Sequence, residues 1–263
     1  MAFPYTVNLS YGQEKVETEE QKQKLGTRAT TPDGRVFYYA QCASGAAIST
    51  GGFLVDGLVT EADHDMDKAA TAAHSVGDTT ISLEITEASG GSGDLVKDEY
   101  ADGYMMFNDG PGEGEVYRIK SHPAHDASSD PTAIFTLDEP DGIRTALTTD
   151  SICGLFKSPY NAIAIVDGDA APTTRTGVLG VTTIPVTASY YCWVQTSGIA
   201  TVALGAQVGV VGDALTISQE SSESGMAERA DFSDESDLAT IGVAIGIPSV
   251  SGDKQACILH IRS

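Results

Sequence analysis

Much of this sequence is written in short apolar runs broken by turn residues. From Gly77 onward, TTISLEIT places Ile81, Leu83 and Ile85 at alternate positions, and YMMF, EVYRI, AIFTL, SICGLF and AIAIV follow as brief apolar stretches. Between them stand NDGPGEGE, HPAHDASSDP and DEPDG, which are dense in Gly, Pro, Asp and Asn. A strand sends successive side chains to opposite faces, and those residues supply the backbone conformations that tight turns require. The pattern predicts a compact β-barrel or sandwich over this stretch and disfavours a helical bundle.

The flanking segments are also written as β. Pro32-Asp33-Gly34 reads as a turn before the strand Arg35–Ala40. An apolar–turn–Gly–apolar pattern, Ala46-x-Ile48-x-x-x-Gly52-x-Leu54-Val55, recurs as Ala206-x-Val208-x-x-x-Gly212-x-Ala214-Leu215. This recurrence suggests that the segments before Val59 and after Tyr190 are related pieces of one domain. Tyr190, Cys192 and Val194 read as alternating positions before a turn at Thr196-Ser197-Gly198, with Thr201 and Ala203 beyond it. Gln219–Leu238, with seven acids and one Arg, reads as a long exposed loop. ACILHI closes the chain as a strand. The one helix expected is Thr60–His74: Thr60 is placed to cap it, acids crowd its first turn and Ala-rich sequence follows.

The N-terminus has its own rhythm. Phe3, Tyr5, Val7, Leu9 and Tyr11 alternate with Pro4, Thr6, Asn8 and Ser10, a half-buried strand pattern. The polar EKVETEEQKQKLG follows and reads as a linker or solvated helix ending at Gly26. The expected class is therefore all-β, mainly strand with one short helix. Its organisation is an extended arm and linker over 1–26, a discontinuous β domain from 27–60 with 161–263, and an inserted barrel-like domain over 61–160. The five alternating apolar residues of the arm are the candidates for contact with a partner, by addition of a strand to a sheet edge. Packing of the arm on its own domain is the alternative. As a separate arm, residues 1–26 are expected to be dispensable for folding of the β domains.

Charge narrows the partners. The 263 residues include 37 Asp and Glu against 15 Lys and Arg, a formal net charge of −22. Nucleic-acid binding displaces counterions with Lys and Arg, and an anionic membrane surface repels a polyanion, so neither is an expected partner. No apolar stretch is long enough to span a bilayer, and MAFPYTVNLS has neither a basic nor an apolar signal region, so no secretory leader is expected. At 41% hydrophobic and 20% charged, the chain has material for a core. Cys42, Cys153, Cys192 and Cys257 form no C-x-x-C pair and read as buried free thiols.

The search for chemistry returns no catalytic constellation. NDGPGEGE lacks the Lys and the strand–loop–helix setting of a phosphate loop, and no G-x-S-x-G is present. Asp63-His64-Asp65-x-Asp67 with His74 offers metal-ligand types on one segment, but acids at a helix start are expected from the macrodipole alone. His122-x-x-His125-Asp126 is half of a site in what reads as a flexible loop. Asp98/Glu99, Asp138/Glu139 and Asp234/Glu235 pair by chance in so acidic a chain. Trp193 reads as a core or interface residue, and Cys192 beside it has no neighbouring base. No metal, cofactor or catalytic residue is assigned, and the chain is read as a non-enzyme.

Two segments carry a resemblance. They are EYADGYMMFNDGPGEGEVYRIKSHP (Glu99–Pro123), followed by FTLDEPDGIRTALTTDS (Phe135–Ser151) and SPYNAIAI (Ser158–Ile165), and GVTTIPVTASYYCWVQTSGIATV (Gly180–Val202) with Gly212-Asp213-Ala214-Leu215. Their order resembles virion structural proteins of tailed bacteriophages, the decoration or cement proteins of the capsid exterior, and Asp33–Val55 fits the same group. The resemblance implies a β-rich protein without catalytic residues that is made in the host cytoplasm. It further implies binding to the major capsid protein between capsomers, often as a homotrimer. Two rivals remain at this stage. One is a tail- or fibre-associated β module that uses Tyr38, Tyr39, Tyr190 and Tyr191 to recognise a host surface glycan. The other is a hydrolase built on acidic pairs in Asp63–Asp67 or Gln219–Leu238.

Overall fold

The computed structural model describes residues 6–58, 64–86, 93–167, 176–205, 208, 210–220, 222–231 and 240–262. The contacts within it divide the chain into two units: Met1–Leu58 with Pro159–Ser263, and Val59–Ser158. Among the described residues the architecture is all β, and the only helical element is one 3-10 turn, Gln13–Lys15.

The first unit opens with β1 (Val7–Asn8), β2 (Arg28–Thr30), β3 (Val36–Gln41) and β4 (Leu54–Asp56). The chain then builds the second unit from β5 (Lys68–Ala69), β6 (Thr80–Glu84), β7 (Tyr104–Asp109), β8 (Val116–Ser121), β9 (Thr132–Leu137) and β10 (Ile152–Phe156). These six form one sheet in the order β5-β10-β7-β8-β9-β6. A bridge between Ala70 and Leu83 joins the two ends of that order, so the sheet curls into a nearly closed barrel. Period-two patterning dictates its interior. Ile81 and Leu83, Met105 and Phe107, Tyr117 and Ile119, Phe135 and Leu137, and Cys153 and Leu155 all face one core.

The chain returns to the first unit through β11 (Ala164–Ile165), β12 (Gly180–Thr182), β13 (Tyr191–Ala203), β14 (Ala214–Ile217), β15 (Ala227–Arg229), β16 (Gly242–Ala244) and β17 (Lys254–His260). Its sheet runs β1-β2-β3-β13-β17-β16-β14-β15, with β12 pairing β13 and β4, and β4 also pairing β11. The long β13 organises the unit. Tyr191–Ser197 pair with β3, and Ser197–Ala203 pair with β17. Cys192, Trp193 and Val194 thus lie in one core with Phe37 and Tyr39. Ala200 and Val202 lie in a second, with Leu215 and Leu259.

Three expectations are corrected. No helix forms over the described part of Thr60–His74: Lys68 and Ala69 are strand, paired to Cys153 and Ile152. Residues 60–63 lie outside the described residues. Barrel pairing overrides the local helix preference of the Ala-rich stretch. Thr196-Ser197-Gly198 is no turn either. The strand runs straight through, with a register shift between Gln195 and Ser197 and Gly198 at φ 88°, a bulge in place of a hairpin. Gln219–Leu238 is not one exposed loop, since β15 pairs with β14 inside it and Glu223 and Glu228 are buried. Residues 221 and 232–238 of that segment lie outside the described residues.

The two apolar–Gly–apolar segments do share a local form. Gly52 and Gly212 both adopt left-handed φ, at 91° and 98°, and a strand begins two residues after each. The left-handed region is where glycine carries no Cβ penalty.

Candidate functional site

The arm is woven into its own unit. β1 pairs parallel with β2, Val7 opposite Ala29 and Asn8 opposite Thr30. The Leu9 N–H continues the ladder to the Thr30 carbonyl at 2.9 Å. Leu9 is buried in the core with Tyr39 and Trp193, whose rings meet edge to face at 4.9 Å. The alternation stops there, because the chain turns at Tyr11 and enters the 3-10 element. Tyr11 is 64% exposed and Val16 53%. Phe3 and Tyr5 lie outside the described residues.

Residues 14–26 are no free linker. Glu14 is buried; its Oε2 accepts the Gly12 N–H at 2.7 Å and its Oε1 accepts Arg35 Nη2 at 3.2 Å. Burial pushes the Glu14 carboxyl up, but the backbone N–H bonds and the Arg35 guanidinium outweigh it and hold the group below its ordinary value. Leu25 is buried in the same core as Leu9. Thr18 pairs with Tyr191 across an antiparallel bridge. Removing 1–26 would therefore strip the core, contrary to the expected dispensability.

The resulting surface has two features suited to a partner. β1 stands at one end of the sheet order, so its outer edge has no further strand among the described residues. Beside it lies an open groove of about 360 Å³, walled by Val7, Leu9, Val16, Tyr39 and Trp193. An edge that can accept main-chain hydrogen bonds next to a partly apolar groove, whose other lining residues include Asn8, Thr18 and Lys22, is the geometry of strand addition.

The other sequence candidates are used internally. His64 is buried, with Nδ1 2.8 Å from the Tyr100 hydroxyl and Nε2 3.3 Å from the Gly93 carbonyl. His122 is also buried. Its Nε2 accepts the Tyr100 N–H at 3.0 Å, and its Nδ1 lies 2.9 Å from the Pro123 carbonyl. His125 meets the Ile85 carbonyl and bridges to Leu95, so His122–Asp126 is anchored rather than a flexible loop. His74 bonds Ser82. Among the described residues no group of three His, Cys, Asp or Glu side chains comes together as a metal would need. Asp63 lies outside the described residues.

The acidic pairs divide in the same way. Asp98 accepts the His122 N–H at 3.0 Å, and Glu99 holds Lys157 Nζ at 2.8 Å. Asp234 and Glu235 lie outside the described residues. Ser218, fully buried, touches both Glu223 at 2.8 Å and Glu228 at 3.0 Å, while Ser251 also bonds Glu223. Nothing in sequence spacing signalled that cluster, because its members come from β15 and two connecting segments. All four cysteines are free and buried. Burial raises the thiol of Cys153 to about 12 and that of Cys257 to about 11, and raises Cys192 further still.

Three of the four tyrosines proposed for glycan stacking stack within the first unit. Tyr38 lies on Tyr160 with centroids 5.1 Å apart, and Tyr39 on Tyr191 at 5.8 Å. Among the described residues no helix is long and apolar enough to cross a membrane. Compared with known proteins, the chain matches no protein-family model, no curated protein and no solved structure.

Proposed function

We propose that the chain is a virion structural protein that decorates and stabilises the exterior of a tailed-phage capsid by binding the major capsid protein between capsomers. The observation that carries this reading is the open edge of β1 beside the groove at Val7, Leu9 and Val16, taken with the resemblance of Glu99–Pro123 and Gly180–Val202 to decoration proteins. An edge strand gives a partner main-chain hydrogen bonds, and exposed Tyr11 and Val16 give it apolar area to cover. A net charge of −22 keeps free copies apart until a specific contact forms. Assembly as a homotrimer, as in the resembled family, belongs to the same proposal, as does production in the host cytoplasm.

The test is co-sedimentation of the purified protein with capsids that lack it, paired with the native mass of the unbound protein. Saturable binding that falls at least about tenfold when Tyr11 and Val16 are both changed to Ser is the expected result. Wild-type protein that stays in the supernatant at every concentration overturns the proposal.

A further inference from the structure

One concavity of the first unit is lined largely by polar and basic residues. About 410 Å³ in volume, it lies where β12 leaves β13, between the Thr50–Gly52 turn and the start of β17. Lys15, Arg35 and Lys254 all line it, three of only 15 basic residues in a chain with 37 acids. Arg35 is already paired, with Glu14 at 3.2 Å and Asp33 at 2.8 Å. Lys15 and Lys254 form no ion pair among the described residues. In so acidic a protein, two lysines that converge on one concavity without a carboxylate between them leave it locally positive. At 0.1 M salt, charges more than about 10 Å away are largely screened, so the near lysines outweigh the distant acids.

The pocket is also built, not merely open. Thr183 Oγ1 donates to the Glu14 carbonyl at 2.9 Å, which ties the turn carrying Lys15 to the end of β12. The Lys254 stem lies against Gly52, and its Nζ sits 5.3 Å from the centre of the Phe53 ring. Gln195, buried, donates to the Ser197 and Ile199 carbonyls and holds the β13 bulge in shape. A Cβ at Gly51 would come within 2.6 Å of the Thr183 backbone, so only glycine permits this close wall. One lining residue is left unsatisfied. Thr182 is fully buried, and its Oγ1 has no hydrogen-bond partner.

We propose that this pocket is an oxyanion site, which takes a phosphate or carboxylate group between Lys15 and Lys254. Lysine ammonium groups supply charge-assisted hydrogen bonds to such oxygens. The group arrives either as a free ion or as the carboxylate of an acidic peptide segment, and the two sources are separable by titration.

The experiment is an amide-resolved NMR titration of the full chain with inorganic phosphate and, separately, with an acetylated tri-glutamate peptide. Sodium chloride at matched ionic strength is the reference. Saturable shifts at Gly51, Gly52, Thr183 and Thr201 are expected for at least one of the two, and which one saturates identifies the source. Lys15→Gln and Lys254→Gln, both at exposed positions and harmless to the core, should each weaken binding about tenfold. Shifts no larger than those with chloride, or affinity untouched by both lysine changes, overturn the proposal.

Discussion

His122 has its protonation state fixed by its neighbours. Nε2 accepts the Tyr100 N–H, so it carries no proton, and Nδ1 must then donate to the Pro123 carbonyl. Burial is the main cause that lowers its pKa below 6.5; the Pro123 carbonyl and the Asp98 and Glu99 charges oppose it without reversing it. A histidine held neutral in the fold takes up protons more readily once unfolded. Its contribution is therefore present above pH 6.5 and is lost as the pH falls from 6.5 toward the lowered native value. The barrel unit should melt at a lower temperature as the pH drops through that window, and His122→Gln should make the slope shallower. A melting temperature flat across the window would contradict this. The thiols offer a second check at the same scale. Held up by burial, none of the four cysteines should react with a disulfide reagent in the native protein, and all four should react in denaturant. Burial of the cysteines and of Trp193 was legible from residue type alone. The burial of Glu14, Glu223 and Glu228 was not, because what stabilises a buried carboxylate is its partners, and Arg35 and Ser218 reach it only through the fold.

At the scale of elements, strands with strict alternation were legible and elements set by long-range pairing were not. β6 and β9 read directly from Ile81, Leu83, Ala133 and Phe135, because period two and burial on one face are the same fact. Lys68–Ala69 was hidden under an Ala-rich helical pattern, since its strand state comes from β10, some 80 residues further on. β13 was hidden by Gly198, which marks a bulge as readily as a turn. The arm shows both outcomes side by side, and two substitutions separate them. Leu9→Ala should cost about 2–4 kcal/mol of unfolding free energy, as for other buried leucines, measured by denaturant titration. Tyr11→Ala, at an exposed turn, should change stability by less than about 0.5 kcal/mol and act on assembly instead. Equal losses of stability from the two would show that the arm packs otherwise than described.

At the scale of the whole molecule, the chain leaves one unit, builds a second from consecutive residues and returns. The exit and return are adjacent: a Cβ on Gly57 would fall 1.8 Å from the Pro159 carbonyl oxygen. Residues 59–158 carry their own core around Phe107, Phe135 and Leu155, and should fold when expressed alone, with a single cooperative melt. The first unit should likewise fold when Leu58 is joined to Pro159 by a short linker. A noncooperative melt for the excised barrel segment would show that its core depends on the rest of the chain. The all-β class was legible at this scale from turn spacing and glycine content. The course of the main sheet was not, because β3 with β13, and β4 with β11 and β12, pair across the segment that builds the second unit. The net charge set expectations about partners without indicating one, and within it the pocket at Lys15 and Lys254 is a local exception. The central claim, a place on the capsid exterior, is tested most directly by cryo-microscopy of the intact virion. Density for this chain is expected on the outer surface at the junctions between capsomers; density inside the head, or only on the tail, would contradict that placement.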